Sequence, residues 1–323
     1  MQRRHLNLAL AAAALAPATA LRAQTWPDKP VKFVLSQPAG SGPDNVARLI
    51  TDRLARLWGQ SVVVDNKPGG QNTIGALAAA RSPADGSSFY FATTAALVTN
   101  TYLFKQLPYD AQKDFTPVAF VARSPFGVLV DANSPLRSMQ DLVQRARANP
   151  GQMSLGNEGP RTFSGMISRL LAARLKLEFN QIPYASVGVS VQNTLGGQVE
   201  AIVADLASTA ALVRSGRLRL LAVTSLQRVP GFESVPALTE TIPGFEMVGW
   251  FALVAPAGTP TAVLQRVNRD MNAVLAERDL ADRIAAIGPL ADPSMSVEQV
   301  GAFLAAEHQR WGAATREIGM LPE

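Results

Sequence analysis

Short apolar runs alternate along the chain with stretches whose apolar positions recur at helical spacing. Residues 31–35, Val-Lys-Phe-Val-Leu, read as a strand. A glycine-rich turn follows, and beyond it Val46, Leu49, Ile50, Leu54 and Leu57 fall on one face of a helix. Further strands are predicted at 61–65, 89–93, 115–122 and 126–130, the last two broken at Ser124-Pro125. Helices are predicted at 73–81, capped by Asn72 or Thr73, and at 138–148, capped by Ser138. The second half repeats this order. Its strands fall at 153–155, 182–184, 199–203 leading into Asp205, 218–224 and 250–254. Helices fall at 163–175, with Met166, Ile167, Leu170 and Leu171 inward, and at 187–195 and 206–215. Three more, at 262–277, 280–287 and 297–318, complete the chain.

This alternation argues for parallel or mixed sheets covered by helices, an α/β fold. Roughly 300 residues beyond the leader exceed one comfortable core and favour two lobes. Extended apolar runs near 118–130 and 220–254 can carry the chain from one lobe to the other and back. Two crossings make a hinge, and a hinge under a polar cleft allows closure around a ligand.

Two turns carry the candidate chemistry. Ser36-Gln-Pro-Ala-Gly-Ser-Gly-Pro-Asp44 links the first strand to the first helix, and Ser154-Leu-Gly-Asn-Glu-Gly-Pro-Arg-Thr162 precedes the helix at 163. A strand–turn–helix start gathers backbone N–H groups and the positive end of a helix dipole, which suits an anion. Two such turns about a hundred residues apart point to a carboxylate held between the lobes.

The N-terminus has the three parts of an export signal: Arg3-Arg4, an apolar run over 6–15, and small residues at Ala18, Ala20 and Ala23. The pair Arg3-Arg4 also faintly resembles a twin-arginine signal. The leader is taken as 1–23, the first lobe as 24–122 with a return at 246–323, and the second as 123–245. The expected location is the periplasm. The formal charge of +5 falls to +2 once the leader takes Arg3, Arg4 and Arg22 with it. No block of about five basic residues remains, so no nucleic-acid partner is expected. No later apolar run of about eighteen residues occurs, so the exported chain should be soluble.

Cysteine is absent, and beyond the leader His308 is the only histidine. This excludes zinc sites of the Cys/His type, and neither metal nor cofactor is expected. His308, among charged neighbours, reads as a solvated surface residue. No Gly-x-Ser-x-Gly elbow, Walker loop or Gly-x-Gly-x-x-Gly run is present. Carboxylate or lysine catalysis remains possible in principle, but nothing in the chain marks it.

Several stretches resemble the Bug-type extracytoplasmic receptors of tripartite tricarboxylate transporters. They are Trp26-Pro-Asp-Lys-Pro30; Val62-Val-Val-Asp-Asn66 followed by Pro68-Gly69 and Ile74-Gly75; Leu107-Pro-Tyr-Asp110 with Lys113-Asp-Phe-Thr-Pro-Val118; Leu195-Gly-Gly-Gln-Val199; Leu221-Ala-Val-Thr-Ser225; and Trp250 with Ala255-Pro-Ala-Gly-Thr-Pro260. Glu307 and Trp311 fit the closing pattern. The resemblance implies two α/β lobes of the periplasmic binding protein type, with a hinge and a central cleft. It implies a receptor that captures a small organic carboxylate and delivers it to membrane permease subunits; a monomer is expected because no surplus apolar helix face stands out in the sequence. Loops of both lobes would hold the carboxylate through amides, hydroxyls and water: Gly40, Ser41, Gly42 and Asp44 in the first, and Gly156, Asn157, Gly159 and Thr162 in the second. The chain departs from the pattern at Ser41 and Pro43, at Glu158, Arg161 and Phe163, and at Ala185-Ser186.

Further candidates stand beside these. Thr93 and Thr94, at a strand end, offer hydroxyls. Asp205 ends a strand and either meets the ligand or caps the next helix. Asp44 either caps its helix or meets a ligand donor. Arg161 either grips a carboxylate or pairs with Glu158. Phe163 either packs in the core or lines the cleft. A secreted enzyme using Asp44, Glu158 or Asp205, and a sensor docking on a membrane kinase, remain as alternative readings.

Overall fold

A computed structural model describes residues 26–322; the predicted leader lies outside the described residues. In the first lobe, β1 (Val31–Leu35) is flanked in parallel by β2 (Val62–Asn66) and β3 (Ser88–Thr93). The helices α1 (Gly42–Trp58) and α2 (Thr73–Ala80) connect them. A π-helical turn (Ala95–Thr99) and a short helix α3 (Asn100–Leu103) follow. The sequence pattern gave no sign of either.

The strand β4 (Phe115–Asp131) is the spine of the molecule. The second lobe is hung from its C-terminal half: α4 (Met139–Ala148), β5 (Ser154–Asn157), α5 (Phe163–Leu175), β6 (Asn180–Pro183), α6 (Val187–Leu195), β7 (Ala201–Asp205), α7 (Leu206–Arg214) and β8 (Leu218–Val223). The chain returns on β9 (Val248–Pro256) and ends with α8 (Thr261–Leu275), α9 (Arg278–Ile287), β10 (Leu290–Ala291) and α10 (Val297–Glu317). The sheet order is β2-β1-β3-β9-β4-β7-β5-β6, with β8 and β10 also paired to β4. This is the two-lobed mixed α/β architecture that the alternation implied.

The expected break at Ser124-Pro125 is corrected: β4 runs through it without interruption. Proline has no N–H to donate. Here Pro125 is the last residue of β4 paired with β9, opposite Val248. From Phe126 onward β4 pairs with β7 and, from Gly127, with β8. The strand therefore changes partners at the proline instead of stopping. Thr224 fastens the crossing: its Oγ accepts from Phe126 N at 3.0 Å, its N–H donates to Phe126 O at 2.9 Å, and its carbonyl accepts from Met247 N at 3.0 Å.

The buried face of α1 is also rotated from the expected one. Val46, Ala47, Ile50, Leu54 and Trp58 are buried, whereas Leu57 is 51% exposed. Trp58 takes its place because Trp26 packs edge-on against it, with ring centroids 4.9 Å apart. In α5 the inward set Met166, Ile167, Leu170 and Leu171 is buried as the spacing predicts. The Ser138 side chain accepts from Asp141 N, capping α4 as expected. Asn72 stands at the N-cap of α2, but its Oδ1 accepts from Gln37 Nε2 instead of capping.

Candidate functional site

A cavity of about 430 Å³ lies between the lobes, at the crossing. Gln37, Ser41, Gly42, Asn72, Thr93 and Thr94 line it from the first lobe. Glu158, Arg161, Thr162, Phe163, Ser186, Val187 and Asp205 line it from the second. Phe126, Trp250 and Phe251 supply the crossing strands' share. Of the predicted residues, Ser41, Gly42, Thr93, Thr94, Arg161, Thr162 and Asp205 thus come together. Gly40, Asp44, Gly156, Asn157 and Gly159 do not line this cavity.

The first turn is organised around Asp44, which is 1% exposed. Its carboxylate accepts from Gly40 N (2.8 Å), Arg48 Nε (2.9 Å) and Asn66 Nδ2 (2.9 Å). Burial alone would push this carboxyl up; the bonds from Arg48, Gly40 and Asn66 outweigh it and hold the group below its usual range. Asp44 is an organiser of the turn, set behind the cavity wall. Ser41 N donates to Pro38 O at 3.2 Å. Two of the turn's amides therefore serve the turn. What faces the cavity is the start of α1 and the Ser41 hydroxyl. Ser41 Oγ, Thr93 Oγ1 and Gln37 Oε1 are buried there without a protein partner. The Thr94 hydroxyl accepts from Trp250 N at 2.9 Å and ties β3 to β9.

The second turn departs further from expectation. Glu158 N donates to Ser164 Oγ (3.0 Å), Gly159 N to Asn157 Oδ1 (2.8 Å), Thr162 N to Gly159 O (3.1 Å) and Gly165 N to Thr162 Oγ1 (3.2 Å). These N–H groups are already satisfied inside the turn, so this loop presents side chains to the cavity. Gly156 is a packing glycine, since a Cβ there would lie 2.9 Å from Ile202 Cγ2 and 3.0 Å from Tyr184 Cε2. Asn157 opens instead onto a separate surface depression beside Arg169 and Gln181. Gly159 holds φ +117°, a left-handed conformation that favours glycine.

The Arg161 guanidinium donates to the carbonyl oxygens of Leu103 and Leu321 (3.1 Å for the latter). It links the second lobe to the end of α3 and to the C-terminal tail. Phe163 fulfils both of its readings. It is 9% exposed, lines the cavity, and packs on Phe126 and Trp311 with centroids at 4.7 and 4.8 Å. Asp205 Oδ1 accepts from Ser208 N at 2.8 Å, so Asp205 caps α7 and lines the cavity at once. Burial pushes its carboxyl up, with Ser208 opposing. Burial also pushes Glu158 up, to about 7; the Asp205 charge adds to this, while bonds from Ser164 and the Val187 N–H oppose it. His308, expected in solvent, is instead 9% exposed, and its ring lies 6.2 Å from that of Tyr102. Of the charged neighbours that prompted the surface reading, Glu307 is itself buried and paired with Arg310. Burial lowers the imidazole below its usual value.

Sequence reasoning missed Gln37, Phe126 and Trp250, polar or aromatic residues in segments read as strand or turn, and took Asn72 only for a helix cap. The one signal available was Ser186 before the 187–195 pattern, a helix-start residue that brings Val187 to the cavity edge. Among the described residues, no group of three or more His, Asp or Glu is placed to hold a metal ion.

The family model for the tripartite tricarboxylate transporter family receptor matches residues 46–320, nearly the whole of both lobes. This chain belongs to that family. The receptor is 32% identical to BugT of Bordetella pertussis, over 94% of this chain and 93% of BugT. Its fold is similar to that of the R. palustris protein Rpa4515, solved with adipate: TM-score 0.86, 30% identity, 92% of this chain and 100% of the other. It is also similar to the periplasmic binding protein BugD: TM-score 0.83, 28% identity, 92% and 100% covered. The family is one of receptors, and the chain is a receptor of that kind, not an enzyme.

Proposed function

We propose that this receptor captures a small organic carboxylate in the cavity between its lobes and passes it to the membrane permease subunits of a tripartite transporter. It does so in the periplasm as a monomer, after removal of 1–23. The lobes are 24–122 with the return 246–323, and 123–245. The carrying observation is the pair of buried hydroxyls without protein partners, Ser41 Oγ and Thr93 Oγ1, beside the start of α1. Hydroxyl donors at the positive end of a 17-residue helix suit an anion. The adipate in Rpa4515, itself a carboxylate, supports the ligand class. Ser41, Gly42, Thr93, Thr94, Arg161, Thr162 and Asp205 form the site in this reading. Gly40 and Asp44 hold its first turn in shape; Gly156, Asn157 and Gly159 hold its second.

Calorimetric titration of the exported chain with aliphatic and aromatic carboxylates, beside neutral sugars, tests this reading. Acids should bind. Ser41→Ala and Thr93→Val should each weaken binding about tenfold, as expected for loss of a hydrogen bond to a charged group. Binding of sugars in place of acids, or affinity indifferent to both substitutions, would overturn the proposal.

A further inference from the structure

The two walls of the cavity differ in hydrogen-bonding character. The first-lobe wall presents the hydroxyls of Ser41 and Thr93 and the start of α1. The second-lobe wall presents two carboxyl groups, Glu158 and Asp205. The one basic residue in the lining, Arg161, sits in that wall and directs its guanidinium to the Leu103 and Leu321 carbonyls.

Glu158 stands near the start of α6: its carboxyl lies 3.5 Å from the Ser164 hydroxyl, and Val187, the first residue of α6, lines the same cavity. A second ligand carboxylate on this side would face Glu158 and Asp205, like charges in a half-buried space. A hydroxyl or ammonium there would instead donate to them.

Resting on the carboxylate reading above, we infer that Glu158 is a specificity residue: the cavity takes an acid with one carboxylate, held on the first-lobe side, and a hydroxyl or ammonium donor facing Glu158, in preference to the matching dicarboxylate. Phe126 and Phe163, in ring contact, give the ligand an apolar flank. The groups facing Glu158 are Asp205 from the β7–α7 junction, Arg161 on its own turn, the Ser164 hydroxyl and the Val187 N–H. The first-lobe lining contributes no titratable side chain. With Glu158 shifted to about 7, it is charged at pH 8 and mostly protonated at pH 6, where it can donate to a carboxylate. The preference therefore weakens on acidification.

Two matched series test this by calorimetry: adipate, 6-hydroxyhexanoate, 6-aminohexanoate and hexanoate; and terephthalate, 4-hydroxybenzoate, 4-aminomethylbenzoate and benzoate. At pH 8, in at least one series, a donor-bearing monoacid should bind about tenfold tighter than both the dicarboxylate and the unsubstituted acid, the worth of one well-made hydrogen bond to a charged group. The ratio to the dicarboxylate should shrink at pH 6 and in Glu158→Gln. A dicarboxylate or unsubstituted acid binding as tightly in both series overturns the inference and leaves the carboxylate reading intact. So does a preference indifferent to both pH and Glu158→Gln; should that variant not fold, the pH comparison on the native chain decides alone. If no member of either series binds, the inference falls, and the broader acid panel judges the carboxylate reading separately.

Discussion

The indole of Trp250, in the cavity wall, donates to Glu307 Oε2 across 2.7 Å, and the Trp311 indole reaches the same oxygen at 3.2 Å. Glu307 is 6% exposed and is also paired with Arg310 at 2.9 Å. One buried carboxylate on α10 thus fixes an aromatic of the binding wall and one of the core. Glu307→Ala would leave two buried indole N–H groups without an acceptor, costing about 3 kcal/mol. Glu307→Gln keeps an acceptor and should cost about 1 kcal/mol. Urea unfolding followed by tryptophan fluorescence measures both. Equal stability of Glu307→Ala and the native chain would contradict the role given to this carboxylate.

At Gly42 the two lobes approach closely. A Cβ on Gly42 would stand 2.6 Å from the Cβ of Ala207, at the start of α7. Ordinary carbon contacts begin near 3.5 Å, so Gly42→Ala should hold α1 and α7 apart by roughly 1 Å. The first helical turn accepts alanine, so folding of the first lobe should be spared. Ligand affinity should fall about tenfold, and the ligand-saturated protein should show a larger radius of gyration in X-ray scattering. If both stay as in the native chain, this approach is not part of the bound form.

Glu158 should impose a pH dependence on stability. Its folded pKa of about 7 is above the usual 4.5. A raised carboxyl is harmless while protonated in both states, below about pH 4.5. Its destabilisation grows as pH rises from there to 7, and is complete above 7. Asp205, pushed up by burial, acts in the same direction. Glu158→Gln should therefore gain up to about 3 kcal/mol over the native chain at pH 8 and almost nothing at pH 4.5. Denaturant midpoints at the two pH values check this. A gain of equal size at both would show that titration of this carboxyl is not its source.

Much of the fold was legible because its signals are local. The helices at 163–175 and 187–195 follow from apolar spacing; the structure adds the caps Thr162 and Ser186, both of which accept bonds from their helices. The site was legible only as two turns. Asp44, Glu158 and Arg161 all stood out in them, yet the partners of Asp44 and Arg161 include Asn66, Leu103 and Leu321, which lie 22, 58 and 160 residues away in sequence.

The sequence by itself determined the alternation of strands and helices, the extended apolar runs near 118–130 and 220–254, and the presence of acids and hydroxyls in the turns. Those follow from periodicity and residue chemistry, which need no knowledge of distant neighbours. Only the tertiary structure decided that β4 runs unbroken past Pro125, that Asp44 turns inward while Glu158 faces the cavity, and that Arg161 straps the lobes. Each of these depends on which backbone groups remain unsatisfied once remote segments meet, and no local pattern encodes that.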